Sequence, residues 1–348
     1  GLTSFYLMIA LGGALGAVAV GLIAPHVLSG VYELPISLLC VAALALWLNW
    51  HGGWSQRMLW AVVAVAMAVV LGSQVAGYNR NALVVERSFY GTLRVLQSES
   101  AGAEVRTLYH GTIKHGAQSL DAARRMAPST YYGLQSGIGL TLRLCCDGPK
   151  RVGAIGLGTG TVAVYGRHGD EFRFYEINPQ VVQLASSLFT YLRETPAHVE
   201  ITMGDARLSL QSEAPQGFDV LIVDAFSGDA IPVHLLTKEA FGLYFRHLKP
   251  NGILAVHVSN QFLDLAPVTQ QLAAFYRYPA IRIHNDAAPD RLLSATDWVL
   301  ITRDRAFLER PEVIAAATPI DPHPGLRLWT DDYNNLFQVM KLVSIRAR

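Results

Sequence analysis

RVGAIGLGTGT, residues Arg151–Thr161, decides the fold. The apolar run Arg151–Ile155 leads into the glycine-rich stretch Gly156–Thr161, and a second strand-like run, Phe172–Ile177, carries Glu176 near its end. A strand, a glycine-rich turn, a helix start and an acid at the end of the next strand form a nucleoside-binding half of a Rossmann-like fold. Glycine lets the backbone approach a ligand closely, which makes Gly156, Gly158, Thr159 and Gly160 candidate ligand contacts. Glu176 is then the acceptor for a ribose diol. The plainer alternative is a tight turn that needs glycine for positive φ.

Downstream of this turn, strands and helices alternate. Strands are expected at Arg151–Leu157, Glu171–Asn178, Val199–Met203, Phe218–Ala225, Ile253–Ser259, Ala280–Asn285 and Trp298–Thr302. Helices are expected at Pro179–Leu192, Thr237–Leu248 and Leu265–Tyr276, with Lys249–Gly252 (KPNG) as the turn after the second. Seven strands with intervening helices predict an α/β, doubly wound, mostly parallel sheet. Such sheets bind ligands at the carboxyl ends of their strands. Glu176, Asp205, Asp224 and Asn260 all fall at such ends.

Asp205, next to Ala206, can offer a carboxylate and a backbone N–H to an adenine edge, or it can cap a helix. Asp224 emerges from the apolar run Val220–Val223 into the central crevice, a position suited to proton abstraction; a loop or capping role is the alternative. The glycine-containing loop Phe226–Val233 follows, and its Asp229 is either a second site carboxylate or a solvated acid. Asp331 and Asp332 either cap a helix expected at Tyr333–Val343 or close over the site.

The first quarter of the chain reads differently. The 348 residues are 51% hydrophobic, with mean hydropathy +0.27, and the excess lies in the runs Phe5–Ala24, Val31–Trp50 and Met58–Ala76. Each run is near the ~20 residues that cross a bilayer. Glu33 is the sole formally charged residue between Leu2 and Trp50, and Trp47, Trp50, Trp54 and Trp60 sit where an aromatic belt would lie. Gly12, Gly13 and Gly16 suit close helix packing. Three transmembrane helices are therefore expected, a buried hairpin of a soluble domain being the alternative. Gly1 in place of an initiator Met fits a processed or truncated product with further spans upstream. Arg80, Arg87 and Arg94 follow the third run, against Arg57 alone before it, which places the remainder in the cytoplasm.

Net charge +1 gives no reason to expect a nucleic-acid partner. Cys40 and the adjacent Cys145–Cys146 lack metal-ligand or disulfide spacing, and the pair His110 and His115 reads as structural. Leu83–Gln97 alternates in β style with Gly91 as a turn or bulge, Glu104–Ile113 reads as a strand or hairpin, and a helix is expected around Tyr132–Leu144. The resulting organisation is a transmembrane segment at 1–78, a small antiparallel β-domain with its linking helix at 79–148, and a Rossmann-like domain with C-terminal helices at 149–348.

The order GxGxG, YEINP, GDA, VDAF and KPNG resembles the spermidine synthase (polyamine aminopropyltransferase) family of S-adenosylmethionine-type Rossmann folds, over roughly Asn81–Arg305. The small β-domain and the long segment from Asp224 to Leu236–Phe241, similar to a gate loop and its following helix, support that likeness. The apolar runs ahead of it, with Val223–Phe241, Tyr109–Ser119 and Trp329–Leu336, look like the membrane-bound bacterial branch. The resemblance implies a multi-pass protein of the bacterial inner membrane with a cytoplasmic catalytic domain. Its cosubstrate would be decarboxylated S-adenosylmethionine or S-adenosylmethionine, with no metal. The ribose would lie on Glu176 and the adenine near Asp205 and Ala206, and Asp224 would deprotonate or orient an attacking amine such as putrescine. An aminopropyl group would move to that amine, releasing methylthioadenosine. Gln118, Tyr131, Tyr132 and Asp229 would line the acceptor site. Implied partners are a small-molecule amine, membrane lipids, and a second copy or a membrane-complex subunit.

The chain departs from the family pattern in three places. Thr159 stands where the family turn GGGDGG has an Asp facing the donor's ammonium. Lys114 lies in the acceptor segment and does not suit a dicationic polyamine. VDSSDP becomes Val223–Asp229 (VDAFSGD), where the first acid alone aligns without shifting. The adenosyl site reads as retained and the acceptor site as changed. Thr159 also admits a methyltransferase or another enzyme using intact S-adenosylmethionine, although Ala154 occupies a position where many methyltransferases carry an acid. A noncatalytic membrane-complex subunit that keeps the adenosyl domain is a third reading.

Overall fold

The computed structural model describes residues 1–100, 102–225 and 232–341. The chain divides into two compact units, Gly1–Gln97 and Ser98–Arg348. The first begins with three helices, Leu2–Val27 (with one wider π turn at Ala19–Ile23), Glu33–Leu48 and Trp54–Asn79. The outer two have 26 residues each and are long and apolar enough to cross a membrane. The middle helix has 16 residues, a rise of about 24 Å that falls short of the ~30 Å hydrocarbon core. Most apolar side chains of the two long helices are exposed. Glu33 pairs with Arg87, which also donates to the Gly30 carbonyl at 3.0 Å. Arg94 donates to the Tyr78 carbonyl at 3.0 Å, with its guanidinium 4.1 Å from the Tyr78 ring centroid. The hairpin β1 (Ala82–Ser88) and β2 (Gly91–Ser100) follows; it turns at Phe89–Tyr90, and Gly91, with φ +119°, pairs with Ser88 as the first residue of β2.

The second unit starts with another antiparallel hairpin, β3 (Ala103–His110) and β4 (Ile113–Ser119). The helix expected from Tyr132 begins only at Gly137 and runs to Leu144, with Ser136 accepting from the Gly139 N–H at its start. Tyr131 and Tyr132 therefore lie in the turn before it.

The main sheet contains β5 (Arg151–Ile155), β6 (Glu171–Glu176), β7 (His198–Met203), β8 (Phe218–Val223), β9 (Leu248–His257), β10 (Ala280–Asn285), β11 (Thr296–Ile301) and β12 (Ala317–Thr318). Its order is β12-β10-β11-β9-β8-β5-β6-β7. The strands from β9 to β7 are parallel, while β11 opposes β9 and β10, and β12 opposes β10. The seven expected strands are present, and β12 makes the sheet eight-stranded among the described residues. Two residues are too few to show any periodicity. Central β8 is buried almost throughout, as a strand covered on both faces must be.

Several expected boundaries move. β9 begins at Leu248, so Lys249–Gly252 is not a separate turn; the β8–β9 register slips there, pairing Phe218 with Leu248 and Val220 with Ile253. The glycine-rich turn opens into a five-residue 3-10 helix, Thr161–Tyr165, rather than a long helix. The helix expected at Pro179–Leu192 breaks into Pro179–Leu188 and Tyr191–Glu194. The helix expected at Tyr333–Val343 is reduced, among the described residues, to a 3-10 turn at Leu336–Val339. Asp331 explains part of that change. It pairs with Arg207 and accepts from Thr237 Oγ1 at 2.8 Å, which docks the segment on a neighbouring helix instead of capping its own.

Lys150 and Asp170 form an interior ion pair at 2.9 Å, with side chains 0% and 1% exposed. Burial alone would raise the Asp170 carboxyl, but the Lys150 ammonium and the backbone N–H groups of Lys150 and Arg167 hold it below the ordinary value. This pair fixes the starts of β5 and β6. Removing one partner of such a pair leaves the other charged and uncompensated, so Lys150→Met is expected to destabilise the protein by about 3 kcal/mol. Denaturant midpoints of the full chain in detergent check this; an unchanged midpoint refutes the role.

Candidate active site

Strand register builds the site. Ile155 pairs with Tyr175 on one side and Val223 on the other, Glu176 pairs with Met203, Val223 pairs with Val256, and His257 pairs with Trp298. The next position along each parallel strand therefore falls in one row at the carboxyl edge: Glu176, Gly156, Asp224, His257, with Trp298 beyond. Residues far apart in sequence become neighbours because the strands end in step.

The glycine-rich turn is shaped for close backbone approach. Gly156, Gly158 and Gly160 have φ of +97°, +54° and +78°. A Cβ on Gly156 would stand 2.3 Å from the Asp224 carbonyl oxygen, and one on Gly158 would stand 2.7 Å from that of His115. The turn is thus wedged between the end of β8 and β4. Thr159 is 1% exposed, and its hydroxyl lies 2.7 Å from that of Thr161.

Glu176 is buried and accepts from the backbone N–H groups of Leu157 at 3.0 Å and Asn178 at 2.9 Å. Burial raises its carboxyl above the ordinary value, although these N–H groups oppose the shift. Asp205 caps the helix Ala206–Ser212 by accepting from Leu208 N–H at 2.9 Å, while its other oxygen lies 3.2 Å from His234 Nε2. Ala206 is buried as the first residue of that helix.

Asp224 is held by two side chains from other elements. Its side chain is 7% exposed. Tyr132 donates its hydroxyl to Oδ2, and His257 Nδ1 lies 2.6 Å from Oδ1. Ser259 Oγ accepts from the Asp297 N–H at 2.7 Å and lies 2.8 Å from His257 Nε2. Both imidazole nitrogens are thus engaged, Nδ1 with the Asp224 carboxylate and Nε2 with the Ser259 hydroxyl. The ring is held between Tyr131 and Trp298, with centroids 4.5 Å and 4.7 Å away. Burial first, and then the Asp224 charge, pushes the Tyr131 and Tyr132 hydroxyls well above the ordinary phenol value, so both stay protonated.

Sequence reasoning missed His257, Ser259 and Trp298 as site groups. The signal available was HVSN at the end of β9, where polar residues follow an apolar run beside β8. Gln118, expected at the acceptor, is fully buried and elsewhere engaged. Its amide donates to the Arg125 carbonyl at 3.0 Å and to Thr190 Oγ1 at 2.8 Å, and accepts from Thr190 N–H at 3.0 Å. Asp229 lies outside the described residues.

A cavity of about 380 Å³ is bounded by Tyr131 and His257, with Lys114 and His115 from β4 and Ser259 from the end of β9. A larger one, about 540 Å³, runs between the 124–136 and 285–296 segments and touches neither partner of Asp224. The chemistry therefore assigns the site to the smaller cavity. Among the described residues no cluster of three or more His, Cys, Asp or Glu side chains could hold a metal ion.

The sheet order and the row at its carboxyl edge define a Rossmann-like fold of the methyltransferase type. No protein-family model matches the chain. It is 28% identical over 203 residues to a polyamine aminopropyltransferase of Vibrio vulnificus, covering 53% of this chain and 64% of that protein. It is 26% identical over 208 residues to a probable polyamine aminopropyl transferase of Bifidobacterium longum, covering 57% and 42%. The chain thus spans less than two thirds of these curated relatives. A probable spermidine synthase from Corynebacterium glutamicum superposes with TM-score 0.54 at 20% identity, covering 67% of this chain and 85% of that one. A spermidine synthase in complex with the transition state analogue AdoDATO gives 0.51 at 15%, covering 70% and 81%. The chain is thus similar in sequence to polyamine aminopropyltransferases and in fold to spermidine synthases.

The turn makes a graded prediction. A Cβ on Gly156 meets backbone, whereas one on Gly160 meets the movable Leu192 side chain at 2.7 Å. Gly156→Ala is expected to cost about 3 kcal/mol or more and Gly160→Ala about 1–2 kcal/mol. Urea denaturation of both variants checks the order; equal losses contradict the wedge.

Proposed function

We propose that the protein is a membrane-anchored aminopropyltransferase that moves an aminopropyl group from decarboxylated S-adenosylmethionine to an amine. The observation that carries this reading is the Asp224 carboxylate, beside the glycine-rich turn and held by Tyr132 and by His257, the latter lining a cavity able to admit an acceptor. The donor's adenosyl group would lie over Gly156, Gly158 and Gly160 with its ribose on Glu176 and its adenine near Asp205 and Ala206. The Cβ-free turn and the buried Glu176 suit that group. The chemistry needs an uncharged amine held in line with the carbon attached to sulfur. Nitrogen forms a bond to that carbon, and the carbon–sulfur bond breaks with its electrons going to sulfur. Methylthioadenosine leaves, and Asp224 takes the amine's proton. Tyr131 packs against the imidazole and borders the acceptor cavity. The long apolar helices would anchor the chain, with this domain on the cytoplasmic side.

The purified protein is expected to release methylthioadenosine from decarboxylated S-adenosylmethionine with at least one amine from a panel of diamines and amino acids. Asp224→Asn is expected to lower kcat by about 100-fold or more. Intact donor binding without product from any amine would sink the reading.

The ribose contact sets a pH dependence. Glu176 has a raised pKa in the free protein, and diol donors favour its charged form. Binding below that pKa must therefore expel a proton, so donor affinity is expected to rise with pH through the raised value and then level off. Calorimetry in buffers of different ionisation heat reads the proton release, and Glu176→Gln should flatten the profile.

Thr159 favours a second reading, in which intact S-adenosylmethionine is used. Its side chain is buried and offers no carboxylate to a donor's ammonium. Tighter calorimetric binding of the carboxylated donor, with methyl transfer, would select it.

A further inference from the structure

We propose that the acceptor is an amine that also carries an anionic group, recognised at that group by Lys114, rather than a diamine. This rests on the transfer reading above and specifies its substrate class. The acceptor is placed in the cavity bounded by Tyr131 and His257, whose imidazole is bonded to Asp224. The cavity's far wall comes from β4, whose His115 carbonyl also abuts the glycine-rich turn. An acceptor seated there would lie against His257, the partner of Asp224, and against His115, which abuts the turn.

Among the described residues, the charges lining this space have the wrong sign for a polyamine. Asp297 is the lining carboxylate among the described residues, and the Arg282 guanidinium at 2.6 Å offsets it. Asp224 serves the reacting nitrogen. Lys114 is exposed on the lining, and among the described residues its ammonium has no hydrogen-bond or ion-pair partner. A diamine with one nitrogen at Asp224 would bring its second ammonium into a space whose uncompensated charge is positive. An amine ending in a carboxylate or phosphate would place opposite charges together. Solvent screening at an exposed lysine limits the gain to about tenfold.

The test measures binding and turnover separately on the full chain in detergent. With methylthioadenosine present, calorimetry compares putrescine, 4-aminobutyrate, O-phosphoethanolamine and a water-soluble short-chain phosphatidylethanolamine. At least one anionic amine is expected to bind about tenfold tighter than putrescine, and Lys114→Glu should abolish or invert that order. Binding of the phosphatidylethanolamine alone identifies a lipid headgroup as the source, while binding of the free compounds identifies a soluble acceptor. Tighter putrescine binding, or an order unmoved by Lys114→Glu, overturns the inference. Turnover with decarboxylated donor is read independently: anionic amines bound in preference but never alkylated would refute aminopropyl transfer while leaving the charge preference standing.

Discussion

The constraint on which the site depends is that β6, β5, β8 and β9 end in step. Parallel pairing holds Ile155 between Tyr175 and Val223, and Val223 against Val256. One residue further, the chain must turn, and the four turns carry Glu176, Gly156, Asp224 and His257. Gly156 has to be glycine because its Cα faces the backbone of Asp224 with no room for a methyl group. The same contact that forbids a side chain there sets the distance between the turn and the carboxylate. A register slip in any of these strands would separate groups that act together.

A second demand follows from burying Asp224. A carboxylate with 7% of its side chain exposed needs hydrogen-bond donors, since an unpartnered buried charge costs several kcal/mol. Tyr132 and His257 meet that demand from two different elements. Each is itself fixed. Tyr165 donates to the Tyr132 carbonyl, Trp298 Nε1 donates to the Tyr131 carbonyl, and Tyr131 and Trp298 sandwich the imidazole. The carboxylate therefore has a defined direction as well as a defined place, and its geometry is set by packing rather than by a ligand.

The central sheet was legible because its strands are apolar runs bounded by Gly, Pro and Asp, a pattern that survives any tertiary context. Glu176 and Asp224 were legible for the related reason that an acid closing an apolar run marks a strand end. His257 escaped because its importance lies in pairing with β8, which spacing along one chain does not reveal. Gln118 misled because a polar residue in a resembling segment was read as facing a ligand, whereas its amide is saturated by Thr190 and the Arg125 carbonyl. Asp331 was read as a helix cap, yet Arg207, 124 positions away, determines where it sits. Local signals report element ends; long-range ion pairs and cross-strand partners overrule them.

In the proposed transfer, positive charge moves. It begins on the donor's sulfur above the glycine-rich turn and ends on the acceptor's nitrogen beside Asp224. A fixed carboxylate at the arrival point stabilises the transition state whether or not it also takes the proton. This gives a reason for the two partners of Asp224 beyond folding: a carboxylate free to swing would have to reorganise as charge arrived, and one clamped by Tyr132 and His257 does not. It also gives the cation at Lys114 a place in the same electrostatic arrangement. A second ammonium near the cavity mouth would compete for Asp224 before reaction, whereas an anionic tail drawn to Lys114 leaves the carboxylate to the reacting nitrogen. On this reading the donor side of the row, with Glu176 and Asp205, and the acceptor side, with Lys114, would present opposite charges to the two reactants, with Asp224 acting between them.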